Sequence, residues 1–314
     1  MLKYYKTNLD TNEIERRNSV ESDCWIDVVR PTDDEIDEIV ENTGVDRNLL
    51  TKMRDADELP RIETSGKSTL VVLDVPALEE DGKDGNYVTY PLGIIISENN
   101  LTITIAPVET GILDDFRNGA INEFGTDKET RFLIQIISNT AARYIKVLDM
   151  VYKAIEAKEK SMQKNTKNKD LIDLLSAEKT LVYFASSLKE NRLMLDRLGK
   201  GNVLPLHEGD EAALEDAIIE TEQARDMADV YRKILKSISE TYSSVINNNQ
   251  NEIMKFLAGV TIILSIPTII SSFFGMNVPF GLIGTSPLSA IAILVGSTII
   301  SVILGIWLKK RGML

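Results

Sequence analysis

The sequence predicts an α/β domain, then a long helical stalk, then a two-helix hairpin that crosses a membrane. Three observations carry this. Phe256 to Phe274 holds no charged side chain, and neither does Leu288 to Leu308; each is about the 20 apolar residues that a bilayer-crossing helix needs. From Asp210 no glycine or proline interrupts the chain until Gly259, so one helix is free to run from the stalk into the first span. The first 125 residues instead mix β-branched runs with helix-start signals. The expected boundaries are residues 1–125, 126–250 and 251–314.

In the first part, Trp25-Ile26-Asp27-Val28-Val29 reads as a strand. A helix opens after Pro31, with Thr32 as cap and Glu35 three residues on, a capping box. A second, short helix begins near Val45-Asp46. Ser68 to Val75 is rich in strand formers. Tyr87 to Ile96 and Leu101 to Ile105 read as two strands joined through Glu98-Asn99-Asn100 as a hairpin. From Thr126, the expected cap, a helical apolar face runs through Phe132, Ile136, Ile137 and Ala141 to about Lys164. Asn165 to Lys169 is a polar break. The next helix runs from about Asp170 to Leu198 and should stop at Gly199 and Gly201. Pro205 restarts the chain. The helix from Asp210 to Phe274 would be about 100 Å long at 1.5 Å per residue, too long to stand without neighbours. Pro267 lies inside its membrane part and frees a backbone carbonyl there.

Composition excludes several functions. The formal net charge is −13, which disfavours a nucleic-acid partner and suits collecting divalent cations. Cys24 and His207 are the only residues of their kinds, so an internal disulfide and a zinc site built on several cysteines or histidines are excluded. No glycine-rich phosphate loop and no nucleophile–His set is visible, so no enzyme is expected. Met1 to Lys6 lacks the apolar core of a signal peptide. Lys255 precedes the first span and Lys309, Lys310 and Arg311 follow the second, while Val278 to Pro287 is uncharged. Basic flanks stay cytoplasmic, so the expectation is a multi-pass cell-membrane protein with both termini in the cytoplasm.

The first span is striped. Thr261, Ser265, Thr268 and Ser272 recur every three or four residues, and the row continues back through Met254 to Asn251. At 3.6 residues per turn they share one face. Small and hydroxyl residues commonly form helix–helix packing faces in membranes; the other reading is a pore lining. Two spans cannot enclose a pore, so a pore requires a cyclic homo-oligomer.

The span ends in Phe274-Gly275-Met276-Asn277, begins with Asn251-Glu252-Ile253-Met254-Lys255, and the second span is followed by Lys309-Lys310-Arg311. A tripeptide alone recurs by chance, but this position and these flanks resemble the CorA magnesium channels. The resemblance is close over the last quarter and one of layout elsewhere. It implies a funnel-shaped homo-oligomer of five copies, with Mg2+ both transported and regulatory. It places the selectivity filter on Gly275, Met276 and Asn277. The family's lining positions fall on Ser272, Thr268, Ser265, Leu257, Met254 and Asn251; only Leu257 is new to the stripe. Leu257 and Met254 would form an apolar gate. A hydrated Mg2+ keeps its waters, and the Asn277 carbonyl would hydrogen-bond to them. The family's regulatory stalk aspartate maps onto Asp216, its partner carboxylate, within Pro60-Arg61-Ile62-Glu63, onto Glu63, and a pore-axis acid of the family onto Glu240.

The chain also departs from the family. The loop after Asn277 has no acid, Ser272 replaces a glycine of some relatives, and Thr64-Ser65-Gly66 stand where acids are expected. These departures leave magnesium, cobalt and nickel open as cargo. Transport of zinc or another divalent ion is the alternative, and a membrane-tethered sensor or scaffold without transport is a further one. The acids around Asp216 read equally as a solvated helix face, and Asn277 as a helix C-cap.

Overall fold

The structure, a computed structural model, describes residues 1–8, 10–11, 13–79, 86–97, 100–162, 168–200, 204–276 and 287–313. They divide into two units, Met1–Ile238 and Ser239–Leu314.

In the first unit, seven strands among the described residues form one sheet. They are β1 (Leu2–Asn8), β2 (Glu13–Arg17), β3 (Trp25–Val29), β4 (Arg61–Ser65), β5 (Ser68–Leu78), β6 (Tyr87–Ser97) and β7 (Leu101–Ala106), in the spatial order β2-β1-β3-β7-β6-β5-β4. Neighbours are antiparallel except β3 and β7, which run parallel with Trp25 opposite Thr102. Successive side chains of a strand face opposite ways, and both faces of this sheet are covered. Leu70, Val72, Ile103 and Ile105 pack with Ile36 and Ile39 of α1 (Asp33–Thr43) and with Leu49 and Leu50 of α2 (Arg47–Lys52). On the other face Trp25, Val71, Leu73 and Ile94 share a core with Phe116 of α3 (Asp114–Arg117), Phe132 and Ile136 of α4 (Glu129–Met162), Leu195 of α5 (Asn168–Lys200) and Leu214 of α6 (Asp210–Phe274). Strands covered on both faces read as continuous apolar runs, which is why β5, β6 and β7 are visible in the sequence.

Two polar ties hold this packing. Asn191 of α5, 1% exposed, donates to the Asp74 carbonyl at 2.8 Å and accepts from the Asp74 N–H at 2.9 Å. Arg117 grips the buried Asp27 through Nη2 at 2.8 Å and Nε at 2.9 Å, while Thr104 donates to the other Asp27 oxygen at 3.1 Å.

The capping box of α1 is present, with Thr32 and Glu35 in their expected roles, and Asp46 caps α2. Thr126 is not a helix cap. It is buried, its backbone N–H bonds to the Thr7 hydroxyl at 3.1 Å, and its own hydroxyl accepts from the Thr7 N–H at 3.0 Å. That reciprocal pair staples the connection to β1, and α4 opens three residues later. Helix α5 does not stop before Gly199 but continues to Lys200, where Leu214 and Ile218 of α6 flank the glycine. Gly201, Glu98, Asn99 and most of the polar break fall outside the described residues.

Helix α6 carries 65 residues, and α7 (Pro287–Lys310) carries 24.

Candidate functional site

Two described helices, α6 and α7, are long and apolar enough to cross a membrane. Within the second unit, the covered side of α6 runs through buried Gly259 and half-buried Ile263, Ile266 and Ile270. Ile263 meets α7 directly. A Cβ on Gly305 would lie 3.4 Å from Ile263 Cδ1, so glycine there permits close approach of the helices. Ser297, Ser301 and Leu308 complete the covered side of α7 at 3%, 8% and 3% exposure. This seam uses small residues every four positions, the usual way membrane helices pack closely.

The seam decides what the polar stripe is not. At 3.6 residues per turn, Thr261, Ser265, Thr268 and Ser272 sit about 180° around α6 from Gly259, Ile263, Ile266 and Ile270. The stripe therefore does not face the seam with the chain's own second span; Thr261, Thr268, Ser272, Asn251, Met254 and Leu257 are exposed and Ser265 is half-buried. Its hydroxyls have a definite polarity. Thr261 donates to Leu257 O at 2.8 Å, Ser265 to Ile262 O at 2.8 Å and Thr268 to Leu264 O at 3.0 Å. Each hydroxyl donates to the helix backbone, which leaves its oxygen's lone pairs as acceptors.

The helix ends where expected. The Gly275 N–H bonds to Ser271 O at 2.9 Å and that of Met276 to Phe273 O at 3.4 Å. A side chain at Gly275 would press on Ser271 O at 3.2 Å, so the glycine serves a tight exit from the helix. Asn277 and the connection up to residue 286 lie outside the described residues.

The regulatory candidates stand on two elements, Glu63 on β4 and Asp216 and Glu240 on α6. Glu63 on β4 is held by Lys52 at 2.6 Å and by Arg61 at 3.1 Å. The Lys52 hydrogen bond, ahead of Arg61, holds its carboxyl below the usual range. Asp216 is exposed on α6. One turn on, the Glu220 carboxyl is pushed up by partial burial and by the neighbouring Asp216 charge. Glu240 is exposed further along the same helix. Among the described residues, no three His, Cys, Asp or Glu side chains of one chain are arranged to hold a metal.

Sequence reasoning missed the α7 seam. Its signal was present, since Ser297, Ser301 and Gly305 stand at intervals of four in an otherwise aliphatic helix.

A family described as CorA-like Mg2+ transporter protein matches residues 21–311. The chain is 30% identical over 273 residues to the cobalt/magnesium transport protein CorA of Methanocaldococcus jannaschii, covering 84% of this chain and 82% of that one. Its fold is shared by the complete structure of the CorA magnesium transporter from Methanocaldococcus jannaschii, with a TM-score of 0.83 and 24% identity over 99% of this chain and 98% of that one. The full-length CmaX protein follows at 0.72 and 14% identity, over 99% and 97% of the two chains. The cytoplasmic domain of ZntB from Vibrio parahaemolyticus stands at 0.62 and 12%, over 80% and 98%. These solved structures speak for fold alone; the family match and the 30% relative speak for descent. The chain belongs to the CorA-like Mg2+ transporter family, a family of divalent-cation transporters.

Proposed function

We propose that the chain is the subunit of a homopentameric, funnel-shaped channel that admits Mg2+, with Co2+ and Ni2+ as competing cargo, and that cytoplasmic Mg2+ closes it. The stripe of α6 lines the pore in this reading, with both termini on the cytoplasmic side of the cell membrane. The observation that carries it is the row of exposed Thr261, Thr268 and Ser272 and half-buried Ser265 on the face of α6 away from the chain's own second span, with Thr261, Ser265 and Thr268 donating to their own helix backbone and keeping their oxygens as acceptors. Mg2+ sheds water reluctantly, so its bound waters present hydrogens outward. A lining of neutral acceptors bonds to those hydrogens without stripping the ion, and binds weakly enough to release it.

Gly275, Met276 and Asn277 form the filter in this proposal, with the Asn277 side-chain carbonyl as the acceptor ring. Met254 and Leu257 form the apolar gate, and Asn251 lies at the inner end. Asp216 and Glu63, taken from different subunits, are the regulatory carboxylates, and Glu240 is an acid on the pore axis. The Glu63 contacts with Lys52 and Arg61 then have to be exchanged for a divalent ion when the sensor fills.

Asn277→Ala removes the acceptor ring of this reading. Liposomes carrying that variant are expected to lose selective Mg2+ uptake while the assembly survives. Wild-type uptake, with wild-type competition by Co2+ and Zn2+, would sink the filter assignment.

A further inference from the structure

Proline has no N–H, so Pro267 leaves the Ile263 carbonyl, four residues back, without its helical donor. In a bilayer such a carbonyl needs another partner, and a Ser or Thr hydroxyl from a neighbouring helix is one that serves. Ser301 of α7 stands there, with Oγ 3.4 Å from Ile263 O. The same Oγ lies 2.9 Å from Ser297 O in its own helix. One hydrogen thus faces two acceptors, one on each span. The site is shielded, since Ser301 is 8% exposed. It is also where the helices come close, because Gly305, one turn on, leaves room for Ile263.

We propose that Ser301 is a positioning residue for α6: its hydroxyl takes up the carbonyl that Pro267 frees and so fixes the course of α6 on either side of the proline. When α6 changes course, the hydrogen returns wholly to Ser297 O and the helix is released. Ser301 touches neither cargo nor stripe; it acts through the backbone at Ile263, on the opposite face of the same helix. This inference rests on the reading of α6 as the pore-lining helix.

The test is a double-mutant cycle. Pro267→Ala restores an N–H to the Ile263 carbonyl and makes Ser301 dispensable. Ser301→Ala alone should change the initial rate of Mg2+ influx into liposomes about threefold, the typical worth of an interhelical hydrogen bond in a membrane. The sign of the change tells whether the present course of α6 conducts. In the Pro267→Ala background, Ser301→Ala should change nothing. Ser297→Ala, which removes a buried hydroxyl bonded at 2.9 Å to Leu294 O of its own helix, should also be neutral. An unchanged Ser301→Ala, an equal effect with and without Pro267, or an equal effect from Ser297→Ala overturns the proposal. Asn277→Ala runs in parallel. If that variant matches wild type, it is the pore reading that fails, and the cycle is then read from thermal midpoints of the same five proteins in detergent, which require no transport.

Discussion

Replacing Arg117 by Met should weaken the first unit severely, and more so at high pH. The Arg117 side chain is 10% exposed and that of Asp27 2%. Arg117 supplies two contacts to Asp27, and also reaches Glu109 and Asp114 at 2.9 Å each. Methionine fills the volume and removes the charge, leaving the Asp27 carboxylate with the Thr104 hydroxyl alone. Stripping one partner from a buried ion pair costs about 3–5 kcal/mol. For a unit of this size that is roughly 10 °C of midpoint, at about 2–4 °C per kcal/mol. The pH dependence follows from linkage. Burial already pushes the Asp27 carboxyl up, and Arg117 opposes it. Without Arg117 the folded-state value rises further. A carboxyl raised in the folded state binds its proton more tightly there than in the unfolded chain. Stability is then lost as pH rises from the ordinary carboxylate range through the raised value. The deficit against wild type should be largest above neutrality and shrink towards pH 5. Adding Asp27→Asn should recover much of it, because no buried charge remains. Trp25, whose indole N–H bonds to Thr104 at 2.8 Å, reports the site by fluorescence in a Trp307→Phe background. A pH-independent deficit, or one below about 1 kcal/mol, would refute the reasoning.

Two further outcomes concern transport. If Met254 and Leu257 form the proposed apolar gate, Met254→Asp and Leu257→Asp place charge in it, which wets it and attracts cations; both should leak at Mg2+ levels that close the wild type, and wild-type closing in patch recordings would put the gate elsewhere. If Asp216 is the proposed Mg2+ ligand of the closed state, Asp216→Ala removes it, so the Mg2+ concentration for half-closing should rise at least about fivefold, the low end of allosteric coupling; superimposable inhibition curves would make Asp216 an ordinary solvated acid.

What the sequence revealed depended on how local its physics was. The capping box at Thr32 and Glu35 is written within four residues and appears as read. So does β3, and so does α6, because from Asp210 to Ala258 no glycine or proline breaks the helix, and it carries on through Gly259 and Pro267. Strands β1, β2 and β4 were illegible. They carry charged and half-buried residues, and only their neighbours in the sheet make them strands. Thr126 misled because a threonine before a helical run is normally a cap, whereas here a distant threonine, Thr7, claims it. The Asp27–Arg117 pair spans 90 residues, a separation no local pattern encodes. At the site, periodicity gave the stripe, but which face of α6 meets α7 needed coordinates.

The parallel pairing of β3 with β7 has a consequence for biosynthesis. These strands sit side by side at the middle of the sheet, with Val29 opposite Ala106. A ribosome adds about 5–20 residues per second, so β3 waits roughly 4–15 s for its partner to emerge. During that interval β1 can pair with both β2 and β3, but the central edge of that three-stranded piece stays open. An open edge of apolar strand is a template for wrong pairing. Both membrane helices lie later still in the chain, so the nascent polypeptide has to be kept from aggregating before any span is available to draw it to the bilayer.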